Sequence, residues 1–495
     1  MPRAPRPVTG PFSSEVVLAR EVASATLSTR ASRGELRRLT RGVYTTNLED
    51  PVEDVVRRNR WVIVAALFPG AVISDRSALP VGQDPDILFL VHDGRARDVA
   101  LPGLLVRARS DHGPIEGDQP LGELPLHQAS LARALVDNTR PSRSRGGRVA
   151  RTVDRASLEE VLVGVLRRDG EARLTQLRDE AQRAGGTLGH PDGAALVTQI
   201  IDALLGEAPA YVAASRTLRA QLEGAPYDQD AVARFDLLRD ELIRLAPELR
   251  GAGPLGELPF FEAYFSNFIE GTEFELDEAR RIIVEGWDPV DRPADAHDVR
   301  CAFTIVSDLE EMSRIAADAD MFIALLRERH RVLLASRPDK RPGRFKEEDN
   351  RAGGTTFVAH ELVVGTLREG FARLASLSDP FQRAAFVMFL IAEVHPFDDG
   401  NGRLARVFMN CELAAAGQQR IVIPPVFRDD YLGALRALSR SSNPTPLQRM
   451  LAFAQDVARR VDWTTYDDAR RTLEDANAFL TPDEAEDTGQ RLRLP

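Results

Sequence analysis

The stretch His395-Pro396-Phe397-Asp398-Asp399-Gly400-Asn401-Gly402-Arg403-Leu404-Ala405-Arg406 crowds an imidazole, a carboxylate, an amide and two guanidinium groups into one short segment. A histidine can accept a proton, an acidic side chain can hold Mg2+, and arginine with backbone N–H groups can bind phosphate oxygens. That is a kit for phosphoryl or nucleotidyl transfer. Gly400 and Gly402 let the backbone turn tightly and approach a ligand with no Cβ in the way. A helix starting near Gly402 points unpaired N–H groups out of its first turn, an anion site suited to phosphate. Arg403 and Arg406 stand three residues apart on that helix and share a face. Asp399–Gly402 alone would read better as a plain turn after a helix cap; the full string is too specific to be accidental.

Several elements must position this segment. Pro380–Val394 is apolar almost all round, the mark of a helix at a bundle centre, and it stops at His395-Pro396. Upstream, Tyr264–Thr272 (YFSNFIEGT) puts Ser266 and Glu270 four apart on one helical face, with Gly271 ending or bending the helix. On its own residues this is also a surface helix with a glycine cap. Gly343–Ala359, with Gly353-Gly354 before Thr355–Val358, reads as a small β-hairpin inside a helical region. Helical periodicity runs over 194–205, 211–223, 229–246, 258–270, 276–286, 295–316, 320–336, 361–376, 380–394, 402–416, 428–439 and 446–460. His330 and His360 have no motif partner and are read as structural.

HPFDDGNGRLAR resembles, without departure at the specifying positions, the active-site motif of the Fic (filamentation-induced-by-cAMP) family. Most Fic enzymes move AMP from ATP to a Ser, Thr or Tyr hydroxyl of a protein. The resemblance implies that His395 deprotonates the target hydroxyl and that Asp399 holds Mg2+ on the α- and β-phosphates. It further implies that Asn401 and the Gly400 and Gly402 backbone bind phosphate oxygens, that Arg403 pairs with the β- and γ-phosphates, and that Phe397 anchors the loop from a buried position. Related phosphotransferring toxins tend to carry Lys where this chain has Gly402, so Gly there favours AMP transfer.

YFSNFIEGT is similar to the (S/T)xxxE(G/N) inhibitory helix of the same family, here about 260–271, with Ser266, Glu270 and Gly271 at its specified positions. This implies that Glu270 pairs with Arg406, displaces the γ-phosphate and keeps the protein adenylyltransferase autoinhibited. In some relatives this glutamate positions water to remove AMP. A deAMPylase, or transfer of another phosphate-containing group, is therefore the alternative within the class. The hairpin 343–359 sits where relatives carry a flap that docks a target segment as an added strand. Tyr431, in the helix opened by Arg428-Asp429-Asp430, is a candidate for the adenine pocket. The implied partners are Mg·ATP and a protein target, the chain itself included, and a homodimer is compatible with the family.

The first 190 residues hold no catalytic constellation. Glu35–Tyr44 (ELRRLTRGVY), Gly70–Leu79 (GAVISDRSAL) and Pro125–Asp137 (PLHQASLARALVD) resemble, in that order, antitoxin and transcriptional-regulator proteins of abortive-infection systems. That implies a winged helix followed by an α/β half. A helical pattern runs from Ser14 to Leu27, and Ser32–Tyr44 reads as a short helix, a Gly turn and a strand. A helix follows over Glu53–Leu67, then β-like runs at Ile87–His92 and Leu104–Arg109, then helices over 126–137 and 157–186. Residues 1–60 carry 11 basic and 7 acidic side chains, a local excess of +4. The region is read as contacting either DNA or a protein, and the alternative of another class is a DNA-binding regulator with a nucleotide-sensing Fic domain.

The chain has 495 residues, about three domains' worth. At 43% hydrophobic and 28% charged, it is neither disordered, collagenous nor a disulfide scaffold. A net charge of −11 excludes a general nucleic-acid glue, and only Lys340 and Lys346 among the 64 basic residues are lysine. Cys301 and Cys411 form no CxxC pair and read as small buried apolar residues of a reducing compartment. The N-terminus lacks a secretory h-region, and no apolar stretch is long enough to span a bilayer, so the expectation is a cytoplasmic protein. The expected fold is mainly α: an all-helical Fic bundle with a β-hairpin flap, preceded by a smaller α/β winged-helix-like region. The expected divisions are a disordered lead-in over 1–13, the regulator-like region over 14–190, the Fic domain over 191–460, and an acidic tail over 461–495. That tail has 9 acidic and 4 basic residues, and its last dozen are expected to be mobile.

Overall fold

The structure is a computed structural model that describes residues 15–19, 24–144, 149–246 and 248–495. The expected lead-in over 1–13 and residues 145–148, part of the basic, Ser/Gly-rich stretch Thr139–Arg148 (TRPSRSRGGR), which reads as a surface loop or linker, lie outside the described residues. The chain divides into two compact units, Met1–Glu223 and Gly224–Pro495.

In the first unit, β1 (Val16–Leu18), α1 (Ser24–Ser32), β2 (Arg37–Thr40) and β3 (Val43–Thr45) make a three-stranded antiparallel sheet, order β1-β3-β2, with one helix. The helical pattern expected from Ser14 to Leu27 is therefore broken. Val16, Val17 and Leu18 are all buried and pair with β3, because a run of β-branched and aliphatic residues buried on both faces suits a strand. The short helix expected after Ser32 is strand β2, turned into β3 at Gly42.

Next come α2 (Val52–Arg58), α3 (Arg60–Leu67), β4 (Ala71–Ile73), β5 (Ile87–His92), β6 (Arg97–Leu101), β7 (Leu104–Ser110), β8 (Gln119–Pro120) and β9 (Leu126–Gln128). Their six strands form one mixed sheet, order β6-β7-β5-β4-β9-β8, in which β5/β7 and β4/β9 run parallel. Helices α4 (Leu131–Asn138), α5 (Arg155–Thr187), α6 (Pro191–Leu204) and α7 (Arg216–Leu222) complete the unit. The break expected at 190/191 is only the turn between α5 and α6. Val197, Ile200 and Ile201 of α6 share a core with Leu158, Leu162, Leu174 and Leu177 of α5, so the units divide at 223/224.

The GAVISDRSAL and ALVD motifs meet in a buried ion network. Asp137 accepts hydrogen bonds from Ser74 Oγ (2.6 Å), Arg109 Nη2 (2.6 Å) and Arg133 Nε (3.3 Å). Asp75, held in the left-handed region at φ 51°, pairs with Arg109 and Arg151. Asp137→Ala would leave the fully buried Arg133 with Asp118 (2.7 Å) as its remaining carboxylate and take from Arg109 its 2.6 Å partner. Its expected cost is about 3–5 kcal/mol of stability, read as an earlier chemical-denaturation midpoint of the first unit. A shift under about 1 kcal/mol would show the network to be dispensable.

The second unit is helical apart from a two-strand hairpin. It contains α8 (Gln229–Ile243), α9 (Leu258–Ile269), α10 (Leu276–Arg280), which runs into a π turn over 281–285, α11 (Pro293–Ser307), α12 (Leu309–Met312) and α13 (Ala319–Leu333). The hairpin β10 (Arg351–Ala352) and β11 (Thr355–Thr356) precedes α14 (Val363–Leu374), α15 (Pro380–Val394), α16 (Asn401–Ala415), α17 (Arg428–Ser441) and α18 (Thr445–Arg460). α15 lies at the centre: Phe386, Val387, Met388, Phe389, Leu390 and Ile391 are consecutive and all buried. Such all-round burial requires partners on every side of a helix.

The segment 461–495 differs from the expected tail. It folds into α19 (Tyr466–Asp475) and α20 (Pro482–Thr488), and Trp463, Leu473, Ala485 and Leu492 share a core with Phe260, Phe261 and Phe265 of α9. Its acidic residues form the outer face of amphipathic helices, so net charge masked a packing face at helical spacing. No helix among the described residues is long and apolar enough to cross a membrane.

Candidate active site

α15 begins on Asp379, whose side chain accepts the Gln382 N–H, with Pro380 in the first turn. It ends at His395, which sits in the left-handed region (φ 50°, ψ 60°). That conformation is unfavourable for a residue with a Cβ, and Pro396 prevents the helix from continuing. Strain of this kind persists where the surroundings over-determine the backbone, and here they do. Asn401 closes the loop on itself: its Oδ1 accepts the Phe397 N–H (2.9 Å) and its Nδ2 donates to Phe397 O (2.8 Å). Phe397 is buried and stacks on His330 with ring centroids 3.8 Å apart.

His330 in turn bridges two backbones. Nε2 lies 3.0 Å from Asp399 O, and Nδ1 accepts the Gly343 N–H (2.9 Å). A ring that donates at one nitrogen and accepts at the other must be neutral, and burial pushes its pKa down to about 4. From the hairpin side, Asn350 Nδ2 donates to Phe397 O (3.0 Å), Lys346 N–H donates to Pro396 O (2.9 Å), and Lys346 Nζ donates to Asn350 Oδ1 (2.7 Å). Gly400, at φ 74°, caps α16; a Cβ there would press on Leu334.

A cavity of about 520 Å³ opens beside this loop, with His395, Gly402, Arg406, Glu270, Tyr431 and Phe357 among its lining residues. Burial, and secondarily the Lys346 ammonium, push the His395 pKa down to about 4, so its imidazole is neutral near pH 7. Nδ1 lies 3.4 Å from Ala392 O, a group that can only accept; the proton therefore sits on Nδ1 and Nε2 is free to act as a base. The Phe357 ring stacks on the imidazole at 3.8 Å and 9°.

Across the cavity, Glu270 forms the C-cap of α9, and Gly271 follows at φ 87°. Glu270 Oε1 accepts from Arg406 Nη2 (2.7 Å), while Ser266 accepts from Arg406 Nε at Oγ (3.0 Å) and from Nη2 at its carbonyl (2.8 Å). The carboxylate rests against Gly402, where any Cβ would collide with Oε1. It thus lies at the N-terminus of α16, where helix geometry favours a negative charge. Tyr431 is buried, with its ring centroid 5.7 Å from the Arg406 guanidinium.

His395, Gly402, Arg406, Ser266, Glu270 and Tyr431 thus come together from four elements, while Gly271, exposed, only ends the helix that carries Glu270. Asn401 and Arg403 are engaged elsewhere. Both polar atoms of Asn401 are spent on the Phe397 backbone. Arg403 is buried and pairs with Asp298 of α11 (2.8 Å), off the cavity wall. Asp399 keeps a partly exposed carboxylate whose Oδ1 accepts the Gly400 N–H (2.6 Å). Among the described residues no cluster of three or more His, Cys, Asp or Glu could hold a metal by itself.

Sequence reasoning missed Asp298, Lys346, Asn350, Phe357 and the bridging role of His330. Each lies on a different element from the loop it touches, so no local spacing could betray it; Lys346, Asn350 and Phe357 do stand within the expected hairpin 343–359, which assigned no role to any single residue. Of the cysteines, Cys411 is buried as expected. Cys301 is half-buried, its Sγ 3.2 Å from His297 Nδ1, because α11 turns that face outward.

Several known proteins are similar to this chain. The family model described as Fic/DOC matches residues 322–413, which span α13 to most of α16. The chain is 26% identical over 255 residues to the protein adenylyltransferase fic-1 of Caenorhabditis elegans, covering 50% of each chain. It is 32% identical over 103 residues to a Fido domain-containing protein of Dictyostelium discoideum, covering 20% of this chain and 72% of that one. The chain thus spans about half the length of the worm adenylyltransferase. Among solved structures, Fic-1 from C. elegans matches at 18% identity with a TM-score of 0.36, covering 65% of this chain and 88% of that one. A Fic domain-containing signaling protein from Bacteroides thetaiotaomicron matches at 17% with a TM-score of 0.36, over 50% and 98%. With most of the Dictyostelium relative matched at that identity, and the family model covering the helices that build the loop, the chain belongs to the Fic/DOC family.

Proposed function

We propose that this chain is a protein adenylyltransferase that moves AMP from ATP to a hydroxyl of a protein. The observation that carries the reading is one cavity bordered by a neutral histidine with Nε2 free and by the glycine-flanked N-terminus of α16. In this reading His395 Nε2 takes the proton of the incoming hydroxyl as its oxygen bonds to the α-phosphorus. The bond from that phosphorus to the bridging β-phosphate oxygen breaks, pyrophosphate leaves, and the imidazolium returns its proton to solvent. The N–H groups of the first turn of α16, with Arg406, would bind the phosphate oxygens and stabilise the charge they carry. Tyr431 would line the adenine end of the cavity.

Asp399 fits the family's Mg2+. Mg2+ is commonly bound through one or two carboxylates plus substrate phosphates, and this carboxylate is partly exposed at the start of the anion-binding helix. When bound, the ion would neutralise phosphate charge. The reading extends to regulation: Glu270 occupies the anion position at α16 and holds Arg406, so ATP could not seat its terminal phosphates productively while that pair stands. The protein target would dock on the hairpin 343–359. A DNA or protein contact of the first unit belongs to the same proposal, with no residue assigned to it.

ATP radiolabelled at the α-phosphate and at the γ-phosphate tests the reaction class. AMP transfer leaves the α-label on protein and never the γ-label; the reverse pattern would mean phosphotransfer and overturn the reading.

The pH profile follows from His395. Its base form is lost on protonation, and its folded pKa lies at about 4 instead of the usual 6.5. The acid limb of kcat/KM is therefore expected near pH 4, with no loss around pH 6.5. A limb centred at 6.5 would place the imidazole in solvent and contradict the geometry.

A further inference from the structure

The imidazole of His395 has little to hold its orientation through polar contacts. Among the described residues its one hydrogen-bond partner is Ala392 O, at a long 3.4 Å, and rotation about the bond joining Cβ to a planar ring is intrinsically loose. Yet a base must point one nitrogen at a hydroxyl, and small misplacements of reacting groups carry large rate penalties. The aromatic face laid on the ring is that of Phe357, 3.8 Å away and within 9° of parallel.

Phe357 immediately follows β11, and the segment leading to it is fastened to the same loop. Gly343 binds His330, Lys346 binds Pro396 O, and Asn350 binds Phe397 O and reaches toward His395 O at 3.5 Å. Arg440 Nη2 donates to Thr355 Oγ1 (2.6 Å), tying the hairpin to α17 on the far side of the cavity. The hairpin and the base are thus one mechanical piece, and Phe357 is the part that touches the imidazole.

We infer that Phe357 is a positioning residue: its ring face sets the orientation of the His395 imidazole, so that the hairpin on which a target strand would dock also aims the base. This rests on the adenylyltransferase reading of the site. Whatever seats a target segment on the hairpin edge then also fixes the base as the hydroxyl arrives.

The test compares Phe357→Ala and Phe357→Tyr, each in the Glu270→Gly background. Two measurements are made: self-labelling rates across ATP concentrations, and the His395 ring signal in histidine-labelled NMR spectra, identified by its loss in His395→Ala. For Phe357→Ala, kcat is expected to fall ten- to a hundredfold with the KM for ATP within about twofold. The His395 ring signal is expected to move downfield as the stacked ring current disappears, and Phe357→Tyr is expected to restore both. An unmoved signal, an unchanged kcat, or a loss confined to KM each overturns the inference. If the Glu270→Gly parent labels nothing, the adenylyltransferase reading fails instead, and the NMR comparison still decides whether Phe357 fixes the ring.

Discussion

Glu270→Gly is expected to raise self-labelling with α-labelled ATP at least tenfold over the unaltered protein. The Glu270 carboxylate accepts from Arg406 Nη2 at 2.7 Å and lies against Gly402, at the N-terminal anion position of α16. A phosphate brought there meets a negative charge and finds the guanidinium already engaged. Two unit charges 4 Å apart at an effective dielectric of about 20 repel by about 4 kcal/mol, so the ceiling on the gain is near a thousandfold. Removing the side chain removes the charge and frees one face of Arg406, which Ser266 still holds through Oγ and the backbone carbonyl. Glu270→Gln separates the two causes: it keeps the bulk and loses the charge, and is expected to give an intermediate gain. Equal labelling by all three proteins would sink the autoinhibition reading.

The second large effect is loss of labelling on His395→Ala in the Glu270→Gly background, by a factor of about 10²–10⁴. The side chain removed is the neutral imidazole at the cavity, and among the described residues no other histidine is within the lining. His330, the nearest candidate by its ring contact with Phe397, has both nitrogens committed to backbone groups and cannot substitute. ATP binding measured by calorimetry should persist, because the N–H groups of α16 and Arg406 are untouched. A double mutant labelling within tenfold of its parent would show that His395 is not the base. Loss of both labelling and binding would point to a collapsed loop.

Much of this site is legible along the chain because its parts are local. The turn from α15 into α16 needs a proline stop, a glycine at φ 74° and an asparagine that caps the loop on itself, and these lie within seven positions of one another (395–401). Ser266 and Glu270 are readable for the same reason, since four residues on a helix share a face. The hairpin at 351–356 follows from its Gly353-Gly354 pair. What the chain order hides is contact between distant segments. The pairing of Arg403 with Asp298 at 2.8 Å cannot be read from the motif, and His330 looks isolated until Gly343 and Asp399 close on its two nitrogens. The acidic end of the chain looks unstructured until Trp463 and Leu473 are seen in the core around Phe261.

By itself the sequence determined the chemistry on offer and the family: a base, an anion-binding helix start and a glutamate at helical spacing, all set by residue type and local backbone geometry. Only the tertiary structure decided which of these groups remain available. Burial forces every polar group inside to find a partner, and those partners come from elements far away in the chain. That is why Asn401 binds the Phe397 backbone and Arg403 pairs with Asp298, why His395 is neutral with Phe357 stacked on it, and why Glu270 pairs with Arg406 against Gly402.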